Sequence, residues 1–216
     1  MVSENSNLTG AVYHKLRDDI INGVYAPGTA LTELTLSREL SVSRTPVREA
    51  LRQLELAELV KITPNKGAVV VGISESDIRD VYEIRRSLEG LAASRAAENA
   101  TDEEITSLEE IIDLTEFYVE RGNAERLRAM DGRFHDEVYK MSGSKMLCHV
   151  LSDLHSYIGR FRGTSLTQSG RARASLSEHR AILGALRARD AALAQELATV
   201  HVENAMKNLL RDGDAK

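Results

Sequence analysis

Ser41-Val42-Ser43-Arg44-Thr45-Pro46-Val47-Arg48-Glu49-Ala50-Leu51-Arg52 decides the fold of this chain. Ser43 or Thr45 is placed to cap a helix whose first turn accommodates Pro46, where a missing N–H costs nothing. From there Val47, Leu51 and Leu54 recur at spacings of four and three and form an apolar stripe. Arg44, Arg48 and Arg52 recur every four residues on another face. Arginines at that spacing are most often only the solvated side of an amphipathic helix, so the neighbouring segments have to decide. Upstream, Val12, Leu16 and Ile20 mark a helix ending near Gly23. Pro27-Gly28 then makes a turn, and Leu34, Leu36 and Leu40 mark a short second helix. Downstream, Val60-Lys61-Ile62 and Ala68-Val69-Val70-Val71 are β-prone runs joined by Thr63-Pro64-Asn65-Lys66-Gly67. Three helices followed by a hairpin predict a winged helix-turn-helix, a fold that implies duplex DNA as a partner.

The acidic balance, −5 over 216 residues, looks at first unsuited to DNA. Its distribution removes the objection. Residues 1–74 hold 8 basic and 8 acidic side chains, leaving 20 basic and 25 acidic for the rest. Between Arg38 and Arg52 four arginines face only Glu39 and Glu49, a local cationic surplus where the turn meets the third helix.

Near Ser74 the pattern changes to long helical periodicity without proline, which predicts a second module. Thr101-Asp102-Glu103-Glu104 is a capping box, Gly122-Asn123 a stop followed by a fresh cap, Gly143-Ser144 another, and Asp190 a cap before Ala191. These signals cut residues 75–211 into about six helices. The expected architecture is mainly α, a winged helix-turn-helix with a small β-hairpin wing over 9–73 and an antiparallel all-α bundle over 74–211. No apolar run approaches the roughly 20 residues of a membrane span, and Met1 to Thr9 is polar, so the expected location is the cytoplasm. The lone Cys148 forms no internal disulfide, in keeping with a reducing compartment.

Within the bundle, Asp131 and His135 are four apart, which puts a carboxylate and an imidazole on one helix face. His179 and His201 each lie 11 positions from Asp190, where the chain turns between their helices. In an antiparallel pair that symmetry sets both imidazoles at one height, roughly 16 Å from the turn. The four side chains are therefore candidates to converge in the bundle core.

Residues 11–72 resemble the DNA-binding domain of GntR-family transcriptional regulators. The resemblance rests on Pro27-Gly28, Leu34 to Leu40, Val42-Ser43-Arg44-Thr45-Pro46-Val47-Arg48-Glu49-Ala50-Leu51 and Pro64-Asn65-Lys66-Gly67. Residues 75–211 resemble the FCD ligand-binding domain of the FadR subgroup, through Asp131 and His135 in Asp-Gly-Arg-Phe-His, His179 in Ser-Glu-His-Arg and His201 in Val-His-Val-Glu-Asn. One departure is Ser144, where that family commonly has asparagine. The resemblance implies DNA contacts from Arg38, Ser43, Arg44, Thr45, Pro46, Arg48, Lys66 and Gly67, with Arg44 and Arg48 reading bases and Ser43, Thr45 and Lys66 holding phosphates.

The resemblance also implies one divalent metal ion per chain on Asp131, His135, His179 and His201. Zinc is the default, with nickel, manganese and iron open to the same donor set. By their bidentate chemistry Arg85, Arg86, Arg160 and Arg162 are candidates for binding a small organic-acid effector, Arg85, in Tyr-Glu-Ile-Arg-Arg-Ser-Leu-Glu, matching the family best. A homodimer on a near-palindromic operator, acting as a repressor, follows as the expected mode of action. The alternatives are an architectural DNA binder that senses nothing and a metal-dependent enzyme. The second is disfavoured because no nucleophile elbow, phosphate-binding glycine loop or His-Glu-x-x-His pattern occurs.

Overall fold

A computed structural model describes residues 2–63, 67–159 and 170–213. The chain divides into two compact units, Met1–Glu75 and Ser76–Lys216.

The first unit holds α1 (Val2–Ile21), β1 (Ala30–Leu31), α2 (Glu33–Glu39), α3 (Arg44–Leu56), β2 (Val60–Thr63) and β3 (Gly67–Val70). Val12, Leu16 and Ile20 of α1 and Val47, Leu51 and Leu54 of α3 are all buried, and the two helices pack on each other. The expected hairpin is present, with Val60 opposite Val70 and Thr63 opposite Gly67. The sequence pattern does not disclose β1, which completes an antiparallel sheet of order β1-β3-β2. Two residues are too few to show a period, and β1 exists only because β3 offers a free edge. The close approach there requires glycine: Gly67 has φ +84°, and a Cβ on it would lie 2.6 Å from the Leu31 carbonyl oxygen. In α2 only Leu36 is buried, while Leu34 is exposed. The helix is placed less by a leucine stripe than by Thr32, whose hydroxyl accepts from the Thr35 N–H at 3.2 Å.

The second unit consists, among the described residues, of α4 (Glu75–Asn99), α5 (Asp102–Arg121), α6 (Ala124–Met141), α7 (Lys145–Tyr157), α8 (Arg171–Arg187) and α9 (Ala191–Gly213). Its boundaries are local chemistry. Thr101 and Glu104 exchange side-chain and backbone hydrogen bonds in a complete capping box. Gly122 closes α5 in the left-handed conformation, and Asn123 caps α6. Ser144 caps α7 through the Leu147 N–H, and the Asp190 carboxylate accepts from the Leu193 N–H at 2.9 Å. The core joins Ala93, Ala96 and Ala97 of α4 with Leu108 and Ile111 of α5, Phe134 and Val138 of α6, Leu186 of α8 and Ala198 of α9. Gly90 sets how near α4 comes to α9, since a Cβ there would stand 2.6 Å from Thr199 Oγ1. No helix among the described residues is long and apolar enough to cross a membrane.

Replacing Thr101 by alanine removes one half of the capping box and leaves the Glu104 N–H without its partner. It should destabilise the protein by about 1 kcal/mol; a urea titration with an unshifted midpoint would contradict that assignment.

Candidate metal centre and nucleic-acid interface

Three helices deliver the candidate metal ligands to one point in the second unit. Asp131 and His135 lie one turn apart on the buried face of α6. His179 of α8 and His201 of α9 come together because α8 ends at Arg187, the backbone turns at Arg189 with φ +57°, and α9 runs back alongside. The equal arms either side of Asp190 bring the two rings to a centroid distance of 4.7 Å. All four side chains are buried. Phe134 stacks flat on His179 at 3.9 Å and fixes its plane.

The nitrogens of His135, His179 and His201 lie within 4.8 Å of one another. His135 Nε2 and His201 Nε2 are 3.3 Å apart. Asp131 Oδ1 is 3.8 Å from His179 Nε2 and 4.0 Å from His135 Nε2. Two nitrogens on one zinc-sized ion stand roughly 3.0–3.4 Å apart when each bond is about 2.0–2.1 Å. The donor set, three imidazoles and one carboxylate, fits a borderline divalent cation both chemically and in spacing.

Two further carboxylates, Glu89 and Glu178, stand behind the imidazoles, and nothing in the sequence pattern singles out either. Glu89 of α4 accepts from His135 Nδ1 at 3.0 Å and from Arg85 Nε at 2.7 Å, with Arg85 and Glu89 both buried. Glu178 of α8 accepts from His201 Nδ1 at 2.7 Å, from both terminal nitrogens of Arg171 at 2.9 and 3.0 Å, and from Asn204 at 3.0 Å. Burial opposes ionisation of Glu89, but the charge of Arg85, followed by His135, holds its carboxyl well below the usual range. Burial likewise opposes Glu178, and hydrogen bonds from His201 and Arg171 bring it down to about 2. Arg85 at four before Glu89 is visible in the sequence, but that spacing ordinarily marks an exposed helix pair. Arg160 and Arg162 lie outside the described residues, as does Lys66. Arg86, next to Arg85, pairs with Glu203 at the surface.

In the first unit, Arg38, Ser43, Arg44, Thr45 and Arg48 are all exposed. Ser43 occupies the cap position of α3 with no side-chain cap hydrogen bond, so its exposed hydroxyl is not engaged in capping the helix. Arg48 forms a two-pronged pair with Glu33 of α2, Nε and Nη2 each 2.8 Å from a carboxylate oxygen. Arg52 pairs with Glu49. Pro46 is buried, so its contribution is to shape the first turn. Gly67 contributes backbone alone, in the left-handed conformation described above.

Comparison with known proteins gives a consistent result. Residues 8–70 match the model of bacterial regulatory proteins of the gntR family, and residues 80–204 match the FCD domain. The transcriptional repressor RspR of Escherichia coli is 30% identical over 89% of this chain and 84% of its own. The transcriptional regulator YdhC of Bacillus subtilis is 29% identical over 93% of this chain and 92% of its own. Among solved structures, E. coli McbR/YncC has the same fold, with a TM-score of 0.74 at 24% identity over 95% of this chain and 98% of that one.

The depressed Glu178 carboxyl has a testable consequence in protein kept metal-free with chelator. Its stabilising effect is complete above the ordinary value of 4.5 and is lost as pH falls through about 2. Glu178→Gln should flatten the dependence of unfolding free energy on pH across that window, and a slope equal to that of the wild type would refute the assignment.

Proposed function

This chain belongs to the GntR family of bacterial regulatory proteins, its helical part being an FCD domain, and we propose that its operator binding is controlled by a small organic acid held at a divalent metal ion in that domain. As a member of that family it is a DNA-binding transcriptional regulator and not an enzyme. The observation that carries the rest is the convergence of Asp131, His135, His179 and His201 at one buried point. A divalent ion there, zinc by default, supplies open coordination positions for an acid's oxygen atoms.

Charge supports an anionic effector. Each outer carboxylate already has an arginine partner, so Asp131 alone offsets a dipositive ion and the centre stays net positive. Two donors on α4 strengthen the case: Arg85 Nη1 and the Tyr82 hydroxyl are buried and make no hydrogen bond among the described residues. The Arg85 guanidinium lies 5.0 Å from the Tyr82 ring. Unsatisfied buried donors are unfavourable by about 1–3 kcal/mol each, and an incoming carboxylate would relieve both.

In this reading the protein is a cytoplasmic homodimer of the FadR type and acts as a repressor, as the name of RspR states for that relative. Two copies of α3 would read the half-sites of a near-palindromic operator. Arg44 and Arg48 would read guanine edges, while Arg38, Ser43, Thr45, Lys66 and the Gly67 backbone hold phosphates.

Elemental mass spectrometry of the purified protein should find about one divalent ion per chain, and the double variant His179→Ala, His201→Ala should carry none; full occupancy of that variant excludes the centre. A melting-temperature screen of the metal-loaded protein against small organic acids should find a ligand that adds about 2.7 kcal/mol at a hundredfold excess over Kd. If no acid shifts the transition, the helical domain serves dimerisation alone. Replacing Arg48 by alanine should weaken specific operator binding by ~1–3 kcal/mol, so undiminished affinity in an electrophoretic titration removes Arg48 from the interface.

A further inference from the structure

Of the imidazoles at the centre, His135 and His201 are held from behind in the same way although they lie on different helices. His135 Nδ1 meets Glu89, which Arg85 clamps, and His201 Nδ1 meets Glu178, which Arg171 clamps. A carboxylate clamped by a guanidinium accepts hydrogen bonds and donates none. Each neutral imidazole must therefore carry its proton on Nδ1 and present a bare Nε2. Those two Nε2 atoms face each other at 3.3 Å.

We propose that Glu89 and Glu178, each fixed by its arginine, are the positioning residues of the centre: they set the tautomer and ring orientation of His135 and His201, so that both Nε2 lone pairs converge before any ion arrives. The assignment of a metal to the centre is the reading on which this rests. The two carboxylates do not reach the ion and are not its ligands. Their arginines serve two ends. The fork of Arg171 on Glu178, completed by Asn204, engages both carboxylate oxygens and leaves the group one orientation. The same arginines cancel the carboxylate charges, so the centre does not become more anionic for having them.

The arrangement also differs from a pair of ordinary structural ion pairs. Arg85 and Glu89 would satisfy each other on α4 without His135, and the fork of Arg171 would close on Glu178 without His201. In both cases the carboxylate nonetheless turns one oxygen to an imidazole at hydrogen-bond distance, 3.0 and 2.7 Å.

The test uses the full chain. In metal-free protein above pH 8, long-range proton–nitrogen correlation NMR should find His135 and His201 protonated on Nδ1 and bare at Nε2. An Nε2–H tautomer at either residue overturns the proposal for that residue without recourse to any variant. Zinc affinity, measured by competition with a chromophoric chelator, should fall ~10- to 100-fold in Glu178→Ala. The same variant should release the His201 tautomer. Glu178→Gln keeps an acceptor, so it should retain the tautomer and lose less affinity. Glu89→Gln should behave in the same way at His135. Zinc affinity equal to that of the wild type in both Glu178 variants, with the tautomer unchanged, refutes positioning. Wild-type protein that takes up no zinc, nickel or manganese while keeping both tautomers refutes the metal reading and upholds the positioning.

Discussion

With both protons on Nδ1, as proposed above, the Nε2 atoms of His135 and His201 repel at 3.3 Å inside a helical bundle until a positive charge lies between them, and much of the second unit is arranged around that constraint. Burying polar groups without partners is unfavourable, so such a cluster persists only where the surroundings fix every member. Phe134 stacks on His179, Glu89 and Glu178 hold the Nδ1 edges, and the equal arms of the α8–α9 hairpin keep the rings level. The apolar core of α4, α5, α6, α8 and α9 supplies the rigidity. Gly90 matters for the same reason. It lets α4 lie close to α9, and α4 carries Glu89 one residue away.

Buried ion pairs seldom add much net stability, because removing two charges from water offsets most of their attraction. Arg85 with Glu89 is such a pair, both residues being almost fully buried on one helix. An apolar pair of similar volume would pack α4 at least as well. What an apolar pair lacks is a fixed acceptor directed at His135, so the pair contributes orientation more than stability. The Nη1 of Arg85 fits the same view, since a guanidinium used only for packing would be satisfied within the core.

How much of this the sequence disclosed depended on the range of each interaction. Helix ends at Thr101, Gly122-Asn123 and Asp190 were legible because a cap is made by residues three or four apart. The apolar stripe of α3 was legible for the same reason, and so was the common height of His179 and His201, which needs only helical rise and a turn. Glu178 and Glu89 were not legible. Their function depends on contacts to His201 and His135, 23 and 46 positions away, and an Arg–Glu pair at spacing four looks the same exposed or buried. Strand β1 was invisible because two residues have no period, and Leu34 departs from the expected stripe because in a seven-residue helix one buried leucine is enough.

The ion pairs of the two units differ in the way their tasks require. Arg48 and Glu33 meet at the surface, where water screens the attraction and the pair adds little to stability. In the proposed DNA complex Arg48 would exchange a carboxylate for the two acceptors on a guanine edge at little cost, because both present oxygen or nitrogen acceptors to the same fork. Glu33 keeps the side chain extended and ready in the meantime. Arg85 with Glu89 and Arg171 with Glu178 are buried or half-buried, and exchanging them would strand charge in the core. An input site has to keep its geometry while ligands come and go. On the proposed function, an output surface has to surrender its internal contacts to DNA, and the depth at which each arginine sits would separate the two roles.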